Sequence, residues 1–246
     1  VASIDPTTQE LEIIGSESDC SYLPGRASRM QYRLAMSLTE ERYLQMLERG
    51  WRRFGRTLFR PVCANCCECQ SLRVDINKFQ PSKSQRRARN RNSDVVLTVQ
   101  PLTITSEHLD LYNAYHLDMH QRRQWPFRRI TEDDYYESFV DGDFAFSREF
   151  QYRLNGKLVA LGIVDAPGDV MSSIYFVHDP ELRERGFGTM SVLRELDYGR
   201  QFERRWLYMG YYIRDCGSMN YKNRFRPHQI LAEYCEDDDP AVWMDA

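Results

Sequence analysis

Residues 152–164 read YRLNGKLVALGIV: a strand-like run ends at Leu154, Asn155 and Gly156 follow, and a longer apolar run spans Leu158 to Val164. An Asn-Gly pair supplies the two positive-φ residues of a tight hairpin turn, so this stretch predicts two antiparallel strands. Downstream, Ser173 to Val177 continues the sheet, a helical pattern runs from about Gly186 to Phe202, and Trp206 to Ile213 makes a last apolar strand. Upstream, Val95 to Val99 reads as a strand. Ser106 caps a helix carrying Leu109, Tyr112, Tyr115, His116 and Met119, and Thr131 caps another with Tyr135, Tyr136, Phe139 and Val140 before Gly142. The order β, α, α, β, β, β, α, β belongs to the α+β class.

The composition changes near Asn92. Before it, Ser37 and Glu40 have the spacing of a capping box, Tyr43, Leu44 and Leu47 give one apolar face, and Gly50 is placed to end that helix. Trp51 to Arg56 interleaves aromatics with cations, a mixture suited to RNA, before Leu58 and Phe59 enter a strand. Leu72, Val74 and Ile76 alternate with polar residues as in a half-buried strand. Residues 1–19 are polar and aperiodic, a loose arm or a short strand through Leu11, Ile13 and Ile14. The chain therefore predicts two units, residues 15–92 and 93–235.

That alternating strand leads from Cys63, Cys66, Cys67 and Cys69 to a run without acidic residues, Lys83 to Arg91. Three sulfurs in a C-x-x-C-x-x-C series can converge on one tetrahedral ion or cluster, with Cys67 or Cys20 as a fourth ligand. Small buried thiols in a tight turn are the other reading. The five cations Lys83, Arg86, Arg87, Arg89 and Arg91 sit among Ser, Gln and Asn donors, a composition suited to a phosphate backbone. With a net charge of −3 over 246 residues, any nucleic-acid contact must come from such a local patch. Glu233, Glu236, Asp237, Asp238 and Asp239 read as a solvated acidic tail.

No apolar stretch approaches the roughly 20 residues of a spanning helix. Seven cysteines bunched around a C-x-x-C spacing fit a reducing compartment. These features predict a soluble, cytoplasmic protein. Two further sites could carry chemistry. Arg183, Gly186 and Gly188 form R-x-x-G-x-G at a helix entrance, where backbone N–H groups can approach phosphate or a carbonyl oxygen. Beyond the last strand, Tyr221, Lys222 and Arg224 are placed to grip a carboxylate or phosphate, with Tyr211 beside them. Of the five histidines only His116 and His120 lie one helical turn apart, and core or surface roles are expected for all.

Several motifs in fixed order resemble one family, the bacterial aspartate/glutamate leucyltransferases, relatives of eukaryotic arginyl-tRNA-protein transferases. Cys20, Tyr22, Leu23, Pro24, Gly25 and Arg26 resemble its opening motif, and Arg60, Pro61, Cys63, Cys66, Cys69 and Arg73 its R-P-x-C-x-x-C-x-x-C-x-x-x-R element. Phe79, Pro81, Ser82, Ser84, Gln85, Arg86, Arg87 and Asn92 follow the next. Leu207, Tyr208, Gly210 to Ile213, Met219 to Lys222 and Phe225 to Pro227 resemble the closing signature. The resemblance implies an N-terminal cysteine-containing domain joined to a GNAT-like acyltransferase domain, a mixed sheet with flanking helices. It implies transfer of leucine from leucyl-tRNA to proteins beginning with Asp or Glu, marking them for N-degron degradation. The reaction requires no cofactor, and Cys20, Cys63, Cys66 and Cys69 are the ligands if a structural zinc ion or iron–sulfur cluster is bound. Position 23 is leucine where eukaryotic relatives carry a second cysteine, and Gly186-Phe187 replaces the family's usual Ser-Leu.

The expected chemistry is attack by a neutral α-amine on the ester joining leucine to the tRNA 3′ end. A free α-amine ionises near roughly 7.7 to 8.0, so positioning should dominate over a strong base. Arg86, Arg87 and Arg89, with Ser84 and Gln85 orienting, are the expected contacts to tRNA or the acceptor carboxylate; Tyr211, Tyr221, Lys222 and Arg224 come second. The sequence assigns no catalytic base. An arginyl donor, a coenzyme-A-dependent acetyltransferase and a non-catalytic RNA-binding module are the alternatives.

Overall fold

The computed structural model describes residues 2–5 and 10–246, so residues 1 and 6–9 of the expected arm lie outside the described residues. Strands β1 (Ala2–Asp5), β2 (Glu10–Ile14), β3 (Met30–Ala35), β4 (Arg52–Phe54) and β5 (Thr57–Pro61) form a five-stranded antiparallel sheet ordered β1-β2-β3-β5-β4. Leu11, Ile13 and Ile14 thus belong to a strand. Helix α1 (Glu40–Glu48) is capped by Thr39, whose hydroxyl accepts the Arg42 N–H at 3.1 Å, rather than by Ser37. Ser37 lies two residues too early to reach the first turn's free N–H groups.

The larger sheet has eight strands: β6 (Gln70–Asp75), β7 (Val96–Gln100), β8 (Ser147–Leu154), β9 (Lys157–Asp165), β10 (Val170–His178), β11 (Trp206–Tyr212), β12 (His228–Leu231) and β13 (Trp243–Asp245). Its order is β13-β12-β6-β11-β10-β9-β8-β7. Every neighbour is antiparallel except the pair β10 and β11. The Asn155-Gly156 turn joins β8 to β9 with φ of 51° and 84°, the two positive values the hairpin demands.

Helices α2 (Lys83–Arg91), α3 (Ser106–Arg123) and α4 (Phe187–Gln201) flank this sheet. The cap of α3 is Thr105, one residue before the expected Ser106. Thr131 caps a single α-turn, Glu132–Tyr135, that widens into a π-turn over Tyr136–Val140. Side chains alternate across the pleat, so β10 and β11 present opposite faces to two layers. Met171, Leu207 and Met209 pack with Phe187, Met190, Leu193 and Leu196 of α4. Val170, Trp206 and Tyr208 face the other way, toward Tyr43, Met46 and Leu47 of α1. On that same side α3 and the π-turn cover Leu161, Ile163 and Val177.

The division expected between residues 15–92 and 93–235 falls inside this arrangement. Strand β6 pairs with both β11 and β12, and the apolar cluster around Trp51 continues into Val170, Trp206 and Tyr208. The composition shift at Asn92 marks the C-cap of α2. A buried ion pair crosses the same line: Arg53 donates to both Asp165 oxygens, at 2.7 and 2.9 Å from Nη2, and Ser147 Oγ donates to Oδ1 at 2.6 Å. The acidic tail is not simply solvated either. Asp237 accepts from Arg33 and Arg42, each at 2.7 Å, and Glu236 accepts from Arg60 at 2.8 Å. Among the described residues no helix is long and apolar enough to cross a membrane.

Candidate active site

Strands β10 and β11 share register over only three pairs, Val170–Trp206, Met171–Leu207 and Ser172–Tyr208. Beyond Ser172 they diverge, and a cavity of about 700 Å³ opens between Ser173 to Phe176 on one side and Met209 to Tyr211 on the other. The side chain of Arg52 enters the fork: Nη1 donates to Ser172 Oγ at 2.7 Å and Nη2 to the Ser173 carbonyl. Gly210 makes room for it. A Cβ there would lie 3.0 Å from Arg52 Nε, and the residue's φ of +76° also favours glycine. Gly210 sits where β11 slips register against β6, which turns the strand away from β10.

The lining carries four cations, Arg52, Arg122, Arg123 and Lys222, against one carboxylate, Asp215. Aromatic and thioether groups fill much of the rest, including Phe54, Phe59, Tyr175, Trp125 and Met209. Lys222 is buried and donates from Nζ to the Tyr211 carbonyl at 2.7 Å. Burial, followed by the neighbouring Arg52 charge, pushes the Lys222 amine down to about 7. Burial holds the Tyr211 and Tyr221 hydroxyls above their usual value; Tyr211 donates to the Phe59 carbonyl at 3.1 Å. His116 hydrogen-bonds Tyr175 Oη at 2.8 Å and so stiffens the aromatic wall.

The expected site residues divide into two groups. Tyr211, Tyr221 and Lys222 meet in the cavity lining. Ser84, Arg86, Arg87 and Arg89 lie on α2, outside it. Gln85 is the buried partner of Ser82 in a capping box, and its Nε2 donates to the Arg224 carbonyl at 3.1 Å. Arg224 itself is exposed, so this bond fastens α2 to the turn Asn220–Arg224 that carries Tyr221 and Lys222. At the other end of α2, Asn92 donates to the Arg185 carbonyl at 2.9 Å and accepts from Arg185 Nε at 3.1 Å. That tie reaches the loop entering α4, whose Gly188 lines the cavity. Arg89 pairs with Asp197 at 3.0 Å and Arg91 donates to the Glu184 carbonyl. Lys83, Arg86 and Arg87 are exposed, and Arg87 has no hydrogen bond or ion pair among the described residues. In the R-x-x-G-x-G element, Gly186 caps α4 in the left-handed region, while Arg183 is paired with Asp118 of α3 at 2.5 Å.

Among the described residues no group of three His, Cys, Asp or Glu side chains is placed to hold a metal. Cys20 Sγ accepts the Leu23 N–H at 3.4 Å, Cys63 Sγ the Arg29 N–H at 3.4 Å, and Cys66 Sγ an Arg26 guanidinium N–H at 3.3 Å. Burial, then the neighbouring Cys20, Cys63 and Cys66, pushes the Cys69 thiol up to about 12, so these thiols lie near one another in the fold. Of the expected set, Cys20, Cys63 and Cys66 each accept one N–H at sulfur, and Cys69 is the more buried fourth.

Models of one family match both parts of this architecture: arginine-tRNA-protein transferase, N terminus, over residues 18–87, and arginine-tRNA-protein transferase, C terminus, over residues 107–232. The chain belongs to this family. An aspartate/glutamate leucyltransferase of Helicobacter hepaticus is 32% identical to the transferase over 95% of this chain and 97% of its own length. That of Halorhodospira halophila is 34% identical over 87% and 90%. Among solved structures, FemX overlaps 85% of the chain and 79% of its own at 8% identity with a TM-score of 0.44, a likeness too slight to bear on the reaction.

Several residues of the transferase's cavity are not evident from sequence. Ser173, Arg122 and Arg123 carry no such signal and Arg52 reads there only as part of the aromatic and cationic run from Trp51 to Arg56; they come from three separate elements and converge through sheet topology. Glu195 left a readable trace, since it stands in an apolar stripe with Val192, Leu196 and Gly199 at i, i+3, i+4 spacing. A lone carboxyl on such a face is buried, and here it lies directly behind Ser173.

Proposed function

We propose that this transferase moves leucine from leucyl-tRNA to the α-amine of proteins that begin with Asp or Glu. One observation carries the reading: α2 is tied at one end to the turn bearing Tyr221 and Lys222 and at the other to the loop entering α4. A tRNA end held on Lys83, Arg86, Arg87 and Arg91 is thereby led into the forked cavity. The names of the relatives point the same way.

The lining distinguishes the donors. An arginyl side chain would meet Arg52, Arg122, Arg123 and Lys222 with only Asp215 to oppose them. A leucyl side chain meets Phe54, Phe59, Tyr175 and Met209, and burying it contributes about 1.5–3 kcal/mol. The acceptor's carboxylate finds a cation in Lys222, whose charge an anion beside it would restore. The amine attacks the ester carbonyl, the tetrahedral oxyanion forms beside the N-terminus of α4, and collapse expels the ribose 3′-oxygen. The acylated protein then enters N-degron degradation in the cytoplasm, where aminoacyl-tRNA is made.

A transfer assay tests this. Leucyl-tRNA, arginyl-tRNA and acetyl-CoA are offered to peptides starting with Asp, Glu or Lys. Leucine should pass to the Asp and Glu peptides alone; preferred transfer of arginine or acetyl would overturn the assignment.

A further inference from the structure

We propose that Ser173 and Glu195 form a two-residue proton path, in which the cavity-lining hydroxyl takes the proton of the attacking amine as it hands its own to the buried carboxyl behind it. The inference rests on the acyl-transfer reading above and adds a route for the proton, which that reading lacks.

The geometry is specific to this place in the fold. Ser173 is the first residue of β10 past the fork: the half-buried residue lines the cavity, and its hydroxyl donates toward the sheet face covered by α4. From that face Glu195 of α4, 1% exposed, places Oε1 3.4 Å from Ser173 Oγ. The other oxygen, Oε2, is buried and has no hydrogen-bond partner among the described residues. A carboxyl kept this dry without a salt bridge costs stability, and nothing in the packing of α4 calls for it. The groups facing it are few: Arg52 from β4, Tyr152 from β8, Tyr221 from the turn after β11, and Arg194 beside it on α4. Tyr152 Oη is likewise buried and unpartnered. Burial dominates over the Ser173 hydrogen bond and the Arg52 charge, and pushes the Glu195 carboxyl up to about 8. That lies beside the α-amine's roughly 7.7 to 8.0, the match that proton transfer favours.

The step balances. As the amine nitrogen bonds to the ester carbon, its proton passes to Ser173 Oγ and the serine proton to Glu195 Oε1, leaving a neutral amine substituent and a carboxylic acid. When the bond from carbon to the ribose 3′-oxygen breaks, the same proton returns through Ser173 to that oxygen. The carboxylate is regenerated and tRNA leaves with a free hydroxyl.

Single-turnover leucyl transfer to an Asp-initiated peptide, measured from pH 6 to 9, tests the path in wild type, Glu195→Gln and Ser173→Ala. In wild type two ionisations, amine and carboxyl, should give a log-rate slope approaching about 2 at low pH and a plateau above about 8. Glu195→Gln should lose about a hundredfold at the plateau and keep a slope of about 1, from the amine alone. Ser173→Ala should resemble it. Infrared difference spectra supply a readout independent of turnover: a protonated-carboxyl band titrating near pH 8, absent from Glu195→Gln. Unaltered rate and slope in a folded Glu195→Gln would overturn the path while leaving the transferase reading intact. Wild type that transfers no leucine at all would overturn both.

Discussion

At Arg53 the guanidinium has both the charge and the shape to hold Asp165 with two parallel hydrogen bonds, and both side chains are fully buried. A pair of this kind contributes little relative to an apolar core, but removing one member strands the other charge away from water. Asp165→Ala should therefore destabilise the fold by about 3–5 kcal/mol, read from the urea midpoint at constant m-value. An Arg53→Met, Asp165→Leu double variant should recover much of that loss. Lys222 shows the opposite choice: among the described residues its buried amine has the Tyr211 carbonyl and Met219 Sδ as acceptors and no carboxylate, so burial favours its neutral form.

Among the elements, α2 departs furthest from its reading in the sequence. Its charges read as a phosphate-binding run, whereas in the structure Ser82 and Gln85, an S-x-x-Q capping box, begin a helix there. Helix geometry then divides the five cations: Arg89 turns to pair with Asp197, while Lys83, Arg86, Arg87 and Arg91 are exposed, Arg86 and Arg91 each donating to a neutral backbone carbonyl, of Pro81 and Glu184. Four phosphate contacts rather than five predict a log-log salt slope for tRNA binding of roughly 2.8 to 3.6, at about 0.7 to 0.9 per contact. Arg87→Ala should lower that slope by about one contact's share without changing thermal stability, as filter binding over a salt series would show. A slope unchanged by Arg87→Ala would place the nucleic acid elsewhere.

Across the whole molecule, local signals were legible and long-range ones were not. The Asn155-Gly156 hairpin, the strand-helix-strand from Val170 to Tyr212 and the Tyr221-Lys222 turn could be read because each is encoded in consecutive residues. The fork between β10 and β11 depends on a glycine-enabled bulge and on an arginine from the other sheet, and no short window holds both. The acidic tail misled for the same reason, its partners Arg33 and Arg42 lying some two hundred positions away, at |i−j| of 204 and 195. Burial alone would raise the Asp237 carboxyl, but hydrogen bonds from Arg42 and Arg33 outweigh it and hold it below the usual carboxylate value. A depressed pKa gives stability that is full above the unfolded value, near roughly 3.9, and is lost as pH falls through the folded one. Asp237→Asn should thus lower the melting temperature at pH 7 and flatten its fall below about pH 4.

Strand β6 has one further consequence, for the protein's own synthesis. Both of its hydrogen-bonded neighbours, Trp206–Tyr212 and His228–Leu231, emerge from the ribosome more than a hundred residues after it. Until then the nascent chain carries a Val- and Leu-bearing ribbon with two bare edges, the situation in which holding chaperones compete with self-association. Closure of the large sheet waits until His228–Leu231 has been made.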